Sequence, residues 1–219
     1  MVNVKQELLS KTLESGAVAV VRRIEEEKVI KAIEALVEGG ITGIEVTLDS
    51  PNALQTIKEA KRLFGDKAVI GAGTVLDGNA ANLAIQHGAD FIFAPTLSQE
   101  TIAVANRYGK IAIPGVFTPT EILQAYEWGA DVVKVFPASV LGSQFIKDVR
   151  GPLGHIPMMP TGGINLDNVS EYIKAGAVAA GIGGSLLDKN FIANNEWDKL
   201  ADLARQYVAK IAEARNSVS

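Results

Sequence analysis

The chain has 219 residues, 47% of them hydrophobic and 21% charged, with a formal net charge of −4; that length and apolarity suffice for one substantial core and one domain. The charges are scattered without a basic block, which excludes nucleic acid and an anionic membrane surface as partners. With no cysteine there are neither disulfides nor thiolate metal sites, a composition suited to a reducing cytoplasm.

Residues 1–7 lack the apolar core of a signal peptide, and no apolar run approaches the length of a membrane span, so the expectation is a soluble cytoplasmic protein. A helix is predicted over residues 4–14. From there short Val/Ile/Ala runs alternate with longer helical patterns, the signature of parallel βα units. Strands are predicted at 17–21, 43–46, 68–70, 91–93, 111–114, 132–136, 158–160 and 179–181. Between them, residues 25–38 carry Val29, Ile33, Leu36 and Val37 on one stripe, and 52–64 follow Pro51, which suits a helix entrance. Gly39-Gly40, Gly65, Gly88, Gly109, Gly129 and Gly176 stand at helix exits, where glycine supplies a left-handed cap. Four of these exits share a phrase, as in His87-Gly88-Ala89-Asp90 and Trp128-Gly129-Ala130-Asp131, and it marks an αβ junction. A last helix is predicted over 195–215.

Eight strands in this alternation predict an α/β fold: a single-domain (β/α)8 TIM barrel over residues 1–219 with an N-terminal helix. A doubly wound open sheet shares the alternation. Against it stand the strand count and the glycine-rich loops after the last two strands, where barrel enzymes often bind phosphate. No Gly-x-Gly-x-x-Gly opens the first helix, so a dinucleotide site is unsupported.

In a barrel the residues that finish the strands face the active site. Lys134 lies in Asp131-Val132-Val133-Lys134-Val135-Phe136-Pro137, a β-branched run that reads as a buried strand. A lysine there must find a partner, reach solvent or lose its proton, and a desolvated amine is a nucleophile that forms Schiff bases with carbonyls. Glu45, at the end of the second strand among apolar neighbours, is either its static ion-pair mate or the general acid/base of a Schiff-base cycle. Arg22 and Arg23 close the first strand; alternation sends them to opposite faces, leaving one at the mouth with a fork that suits a carboxylate. Pro160-Thr161-Gly162-Gly163-Ile164-Asn165, leading into a helix near Leu166, and Gly181-Ile182-Gly183-Gly184-Ser185, opening a short helical turn, suit an oxyanion. Thr74 and Pro95 line the same mouth, Thr74 as a substrate contact or as a cap of the next turn, and Phe136 shapes its wall. His87 and His155, the two histidines, are far apart, exposed and without clustered carboxylates, so no metal site is expected; no Gly-x-Ser-x-Gly appears.

Taken together, Gly43-Ile44-Glu45-Val46-Thr47, Ile70-Gly71-Ala72-Gly73-Thr74-Val75, Lys134-Val135-Phe136-Pro137, Pro160-Thr161-Gly162-Gly163 and Gly181-Ile182-Gly183-Gly184-Ser185 resemble the class I 2-keto-3-deoxy-6-phosphogluconate (KDPG) and 4-hydroxy-2-oxoglutarate (KHG) aldolases, from about Glu14 to Leu187. The resemblance implies Lys134 as the Schiff-base lysine and Glu45 as the proton-transfer carboxylate. It places Arg22 and Thr74 at the pyruvoyl carboxylate, and Gly162, Gly163, Gly184 and Ser185 at the phosphate. It further implies a homotrimer without cofactor or metal, acting on a phosphorylated 2-keto acid to release pyruvate. Some members carry Thr-Leu-Arg where this chain reads Thr47-Leu48-Asp49, and Asp49 cannot bind an anion as that arginine does. The following Ser50-Pro51 is similar to the related 2-keto-3-deoxy-6-phosphogalactonate aldolases, which accept the other C4 configuration. A non-catalytic barrel that binds a phosphorylated metabolite, with Lys134 and Glu45 as a static pair, is the reading from a different class.

Overall fold

A computed structural model describes residues 4–217; Met1–Asn3 of the N-terminal stretch and the last two residues lie outside them. Helix α1 (Val4–Glu14) precedes β1 (Ala17–Val21), α2 (Glu26–Glu38), β2 (Gly43–Thr47), α3 (Ala53–Phe64), β3 (Val69–Gly73) and α4 (Gly78–Gln86). Then come β4 (Phe91–Phe93), α5 (Gln99–Arg107), β5 (Ile111–Ile113), β6 (Gly115–Val116), α6 (Pro119–Glu127), β7 (Val133–Val135) and α7 (Ala138–Leu153). The chain ends with β8 (Met158–Pro160), α8 (Val169–Lys174), β9 (Ala180–Ile182), α9 (Lys189–Ala193) and α10 (Trp197–Asn216). Helix starts follow local chemistry. Thr118 and Glu121 form a reciprocal capping box with Pro119 at the first position of α6, and the Asp77 side chain accepts the Ala80 N–H to open α4.

All strand pairings are parallel. A curled six-stranded sheet has the order β5-β4-β3-β2-β1-β9, and a small three-stranded sheet the order β6-β7-β8. The expected strand at 111–114 is thus two pieces, because Pro114 has no N–H for a ladder; its carbonyl still accepts the Lys134 N–H at 2.8 Å. Between β8 and β9 run a Thr161–Gly181 bridge and a 3.0 Å bond from Val178 N to the Met158 carbonyl.

Other expectations need adjustment. The helix expected near Leu166 begins at Val169 and that expected at 195 begins at Trp197, while the short helical turn expected after β9 forms, with Leu186 N and Leu187 N both bonded to the Gly183 carbonyl at 2.9 and 3.0 Å. Gly40, Gly88, Gly109, Gly129 and Gly176 do take the left-handed conformation at the αβ junctions, but Gly65 stays right-handed at φ −58°. There the chain winds on, with Lys67 N and Ala68 N both bonded to the Phe64 carbonyl, instead of turning at once into the strand.

Strand alternation divides the core in two. Ala17, Ala19, Val21, Ile44, Val46, Ile70, Ala72, Val133 and Val135 pack against the helices. On the opposite faces Val18, Val69, Phe91, Phe93, Ile111, Ile113, Val132, Met159 and Ala179 form a second cluster, against which α1 sets Leu8, Leu9 and Leu13. Glu45 lies between Ile44 and Val46, and Lys134 between Val133 and Val135, so both charged residues project to this second face.

Candidate active site

Lys134 is 6% exposed and Glu45 1% exposed. The β7 register places Lys134 between Gly115 and Met159, and its Nζ sits 4.2 Å from the Phe93 ring centroid and 4.8 Å from that of Phe136. Ring faces replace hydration only in part. Burial therefore holds the Lys134 amine below the ordinary lysine range, with Arg22 reinforcing and Glu45 opposing. Burial likewise pushes Glu45 up to about 7 against the pull of Lys134 and Arg22, Asp49 assisting. The Glu45 carboxylate lies over Gly73, where a Cβ would come within 1.7 Å of Oε1; its Oε2 accepts no hydrogen bond. Among the described residues no carboxylate oxygen lies within 4.0 Å of Lys134 Nζ, which contradicts a static contact ion pair with Glu45. Both shifts run in the direction that suits an attacking amine and a proton-exchanging carboxyl group, and for Glu45 the value lies near neutral pH.

At the mouth, Arg22 Nε and Nη2 donate to Asp49 Oδ2 at 3.0 and 2.8 Å, and Arg23 Nη2 lies 2.9 Å from the same oxygen. The expectation that the two arginines point apart is overturned. Strand alternation ends at Val21, and Arg23 turns left-handed at φ 52°, bringing its side chain back beside Arg22. Asp49 is pushed up by its partial burial, but the Thr47 hydroxyl and the Arg22 guanidinium outweigh that and hold it below the usual carboxylate range. This network escaped the sequence reading, though Ser50 and Asp49 directly after a strand were its visible signal.

Thr74 is left-handed at φ 56° and partly buried; capping of α4 belongs to Asp77 instead. Pro95 adjoins β6, the strand paired with that of Lys134, since a Cβ on Gly115 would lie 2.3 Å from the Pro95 carbonyl. Gly162 touches the Phe136 ring, 3.4 Å from the place of a Cβ, so the first glycine loop adjoins the residues covering Lys134. Gly183 adjoins Val20, which is paired with Glu45. The Ser185 hydroxyl donates to the Ile164 carbonyl at 2.5 Å, tying the two loops together, and Asn168 Nδ2 supports the Gly163 carbonyl at 2.9 Å. Among the described residues the loop contacts give the N–H groups of Gly163, Gly183 and Gly184 no protein acceptor, an arrangement of amides that suits an anion. Thr161 is buried, with a hydroxyl lacking a partner, between this loop and Gly181. Phe93 and Asn168 were not singled out from sequence, although the Phe91-Ile92-Phe93 alternation already points Phe93 inward.

The histidines lie away from this constellation. His155 is exposed and packs edge-on against Tyr126, while His87, expected to be exposed, is partly buried with Nδ1 2.8 Å from the Leu83 carbonyl. Among the described residues no group of three His, Asp or Glu side chains is placed to hold a metal, and no helix is long and apolar enough to cross a membrane.

Residues 9–203 match the family model described as KDPG and KHG aldolase. The chain is 33% identical over 198 residues to the 2-dehydro-3-deoxy-6-phosphogalactonate aldolase of Escherichia coli K12, covering 90% of this chain and 95% of that one. It is 34% identical over 180 residues to the 2-dehydro-3-deoxy-phosphogluconate aldolase of Pseudoalteromonas atlantica, covering 82% and 83%. Among solved structures it is similar to the KDPG aldolase of Legionella pneumophila, captured with pyruvate as a covalent carbinolamine intermediate. There the TM-score is 0.83 at 28% identity, over 92% of this chain and 96% of that one.

Proposed function

The chain belongs to the KDPG and KHG aldolase family, and from that premise we propose that Lys134 is its Schiff-base amine and Glu45 its proton carrier. The protein is a class I, metal-independent aldolase that cleaves a phosphorylated 2-keto acid to pyruvate and an aldehyde. One observation supports the residue assignment above all others. Lys134 is an amine buried against two aromatic rings, in the field of the carboxyl group of Glu45, whose own proton affinity is raised to about 7.

In this reading the neutral Lys134 amine attacks the C2 ketone, and the carbinolamine loses water to give an iminium. Glu45 takes the proton of the C4 hydroxyl as the C3–C4 bond breaks, and the bonding pair passes into the iminium to leave an enamine. The aldehyde departs, C3 is protonated, and water releases pyruvate and the free amine. Arg22 and Thr74 hold the carboxylate end, Pro95 and Phe136 form the wall, and Thr161, Gly162, Gly163, Gly183, Gly184 and Ser185 receive the phosphate end. Borohydride added with pyruvate is expected to leave one reduced adduct, on Lys134, found by peptide mass mapping; an unlabelled Lys134 overturns the assignment.

We assign 2-keto-3-deoxy-6-phosphogluconate as substrate and glyceraldehyde 3-phosphate as the aldehyde, with 4-hydroxy-2-oxoglutarate, giving glyoxylate, as a second substrate. The C4 epimer is the other reading, favoured by the Leu48-Asp49-Ser50-Pro51 stretch and by the likeness to the E. coli phosphogalactonate enzyme. Turnover of the two epimers side by side decides between them. We also read residues 1–219 as one aldolase domain whose two sheets close into a (β/α)8 barrel, with β5 and β6 as one strand and the β8–β9 seam as the closure. The Thr161–Gly181 bridge supports this. The family resemblance supports a homotrimer acting in the cytoplasm, and light scattering in solution tests the assembly.

A further inference from the structure

Arg22 stands one residue beyond β1 with a side chain 54% exposed. A free arginine there would sample many rotamers and meet a ligand at an entropic cost. Instead its fork is held by one edge: Nε and Nη2 both donate to Asp49 Oδ2. Asp49 is itself fixed. The turn that carries it is closed by Ser50 N bonding to the Thr47 carbonyl at 3.0 Å and by the Thr47 and Ser50 hydroxyls 3.0 Å apart.

The same turn is stitched to the loop after β1. Arg23 N–H donates to Ser50 Oγ at 2.8 Å, and Asn52 Nδ2 donates to Glu26 Oε2 at 2.6 Å. Two of the residues in this seam, Arg23 and Asn52, hold left-handed backbones at φ 52° and 49°, a conformation costly for non-glycine residues unless their surroundings enforce it. An isolated surface ion pair would do little. A fork bonded by two N–H groups to a carboxylate on a stitched turn is a different object.

From this geometry we propose that Asp49 is a positioning residue for Arg22, pinning one edge of the guanidinium so that its remaining N–H groups meet the carboxylate of the 2-keto acid. A guanidinium has five N–H groups, and Asp49 uses two of Arg22's. The negative charge of Asp49 does not repel the substrate, because Arg22 and Arg23 both neutralise it and leave the trio at net +1. Where some members of the family carry an arginine at this point, this chain uses the position to aim an arginine supplied by the neighbouring strand.

The proposal rests on the reading of Arg22 as the carboxylate contact, and the test separates the two. On the full-length enzyme, Asp49→Ala is expected to raise KM for the phosphorylated 2-keto acid about tenfold, the size expected for a lost charge-assisted bond. The pyruvate concentration that half-saturates borohydride trapping at Lys134 rises with it. The kcat stays within about threefold, and Asp49→Glu recovers part of the KM loss. Arg22→Gln raises KM as well, and adding Asp49→Ala to it produces less than about a twofold further change. An unchanged or lower KM in Asp49→Ala overturns the proposal, as does a drop in melting temperature with KM unmoved. The full KM rise persisting in the Arg22→Gln background does the same. If Arg22→Gln alone leaves KM and trapping untouched, it is the reading of Arg22 that fails.

Discussion

Lys134 and Glu45 are two charged residues at odds with their buried surroundings, and in the proposed mechanism the conflict generates the chemistry. Glu45 is fully inside, and its proton affinity is raised from the ordinary 4.5 to about 7 by burial. The folded protein therefore holds that proton more tightly than the unfolded chain does. Its contribution is fully present below pH 4.5 and is lost as the pH rises through 7, where a buried carboxylate must carry its charge. Glu45→Gln should then stabilise the protein at pH 8 by on the order of 3 kcal/mol and hardly at all at pH 4. It should at the same time lower kcat by about 10²–10⁴-fold. Denaturant unfolding at the two pH values, alongside turnover, checks both; an equal stability change at both pH values contradicts the titration. At this scale the sequence was most legible where a residue type opposed its neighbours, as Lys134 does among Val132, Val133 and Val135. It was least legible just past strand ends, where Arg23 and Asp49 escape any periodicity.

Elements decide how closely the reacting groups approach one another. The strand expected at 68–70 runs instead over Val69–Gly73, taking in Gly71 and Gly73, which the expected boundary left outside it. A Cβ on Gly71 would sit 2.2 Å from the Phe91 ring, and one on Gly73 would collide with the Glu45 carboxylate. β3 is bare so that its neighbours can be large. Gly73→Ala should accordingly cost about 1–3 kcal/mol of stability and displace Glu45, lowering kcat at least about tenfold. Thermal melting and kinetics measure the two effects; a stable variant with unchanged kcat would show that Glu45 has room to move. Local propensity has no means of telling such a glycine from a turn glycine, since the partner that excludes a side chain lies twenty or more residues away.

The whole molecule is organised with its chemistry at one end of the strands and its closure at the other. α1 sets Leu8, Leu9 and Leu13 under the inner cluster, and Arg215 near the end of α10 donates to the carbonyls of Leu13, Glu14 and Val178 at 2.8, 2.7 and 2.7 Å. The first and last helices are thus held together by one guanidinium. Arg215→Ala should destabilise the protein by roughly 2–3 kcal/mol, in the range of hydrogen bonds to a charged group, while leaving kcat and KM unchanged. A parallel loss of kcat would reveal coupling between the two ends that the packing does not suggest. The order of strands and helices, most of the αβ junctions and the choice of Lys134, Glu45 and the glycine loops as candidates came from sequence alone, because periodicity, cap chemistry and a charge in an apolar run are local signals. The interruption at Pro114, the bare interior of β3 and the Arg22–Asp49–Arg23 cluster were decided only by tertiary structure. Each depends on which distant strand lies alongside, and a linear chain does not carry that distance until it has folded.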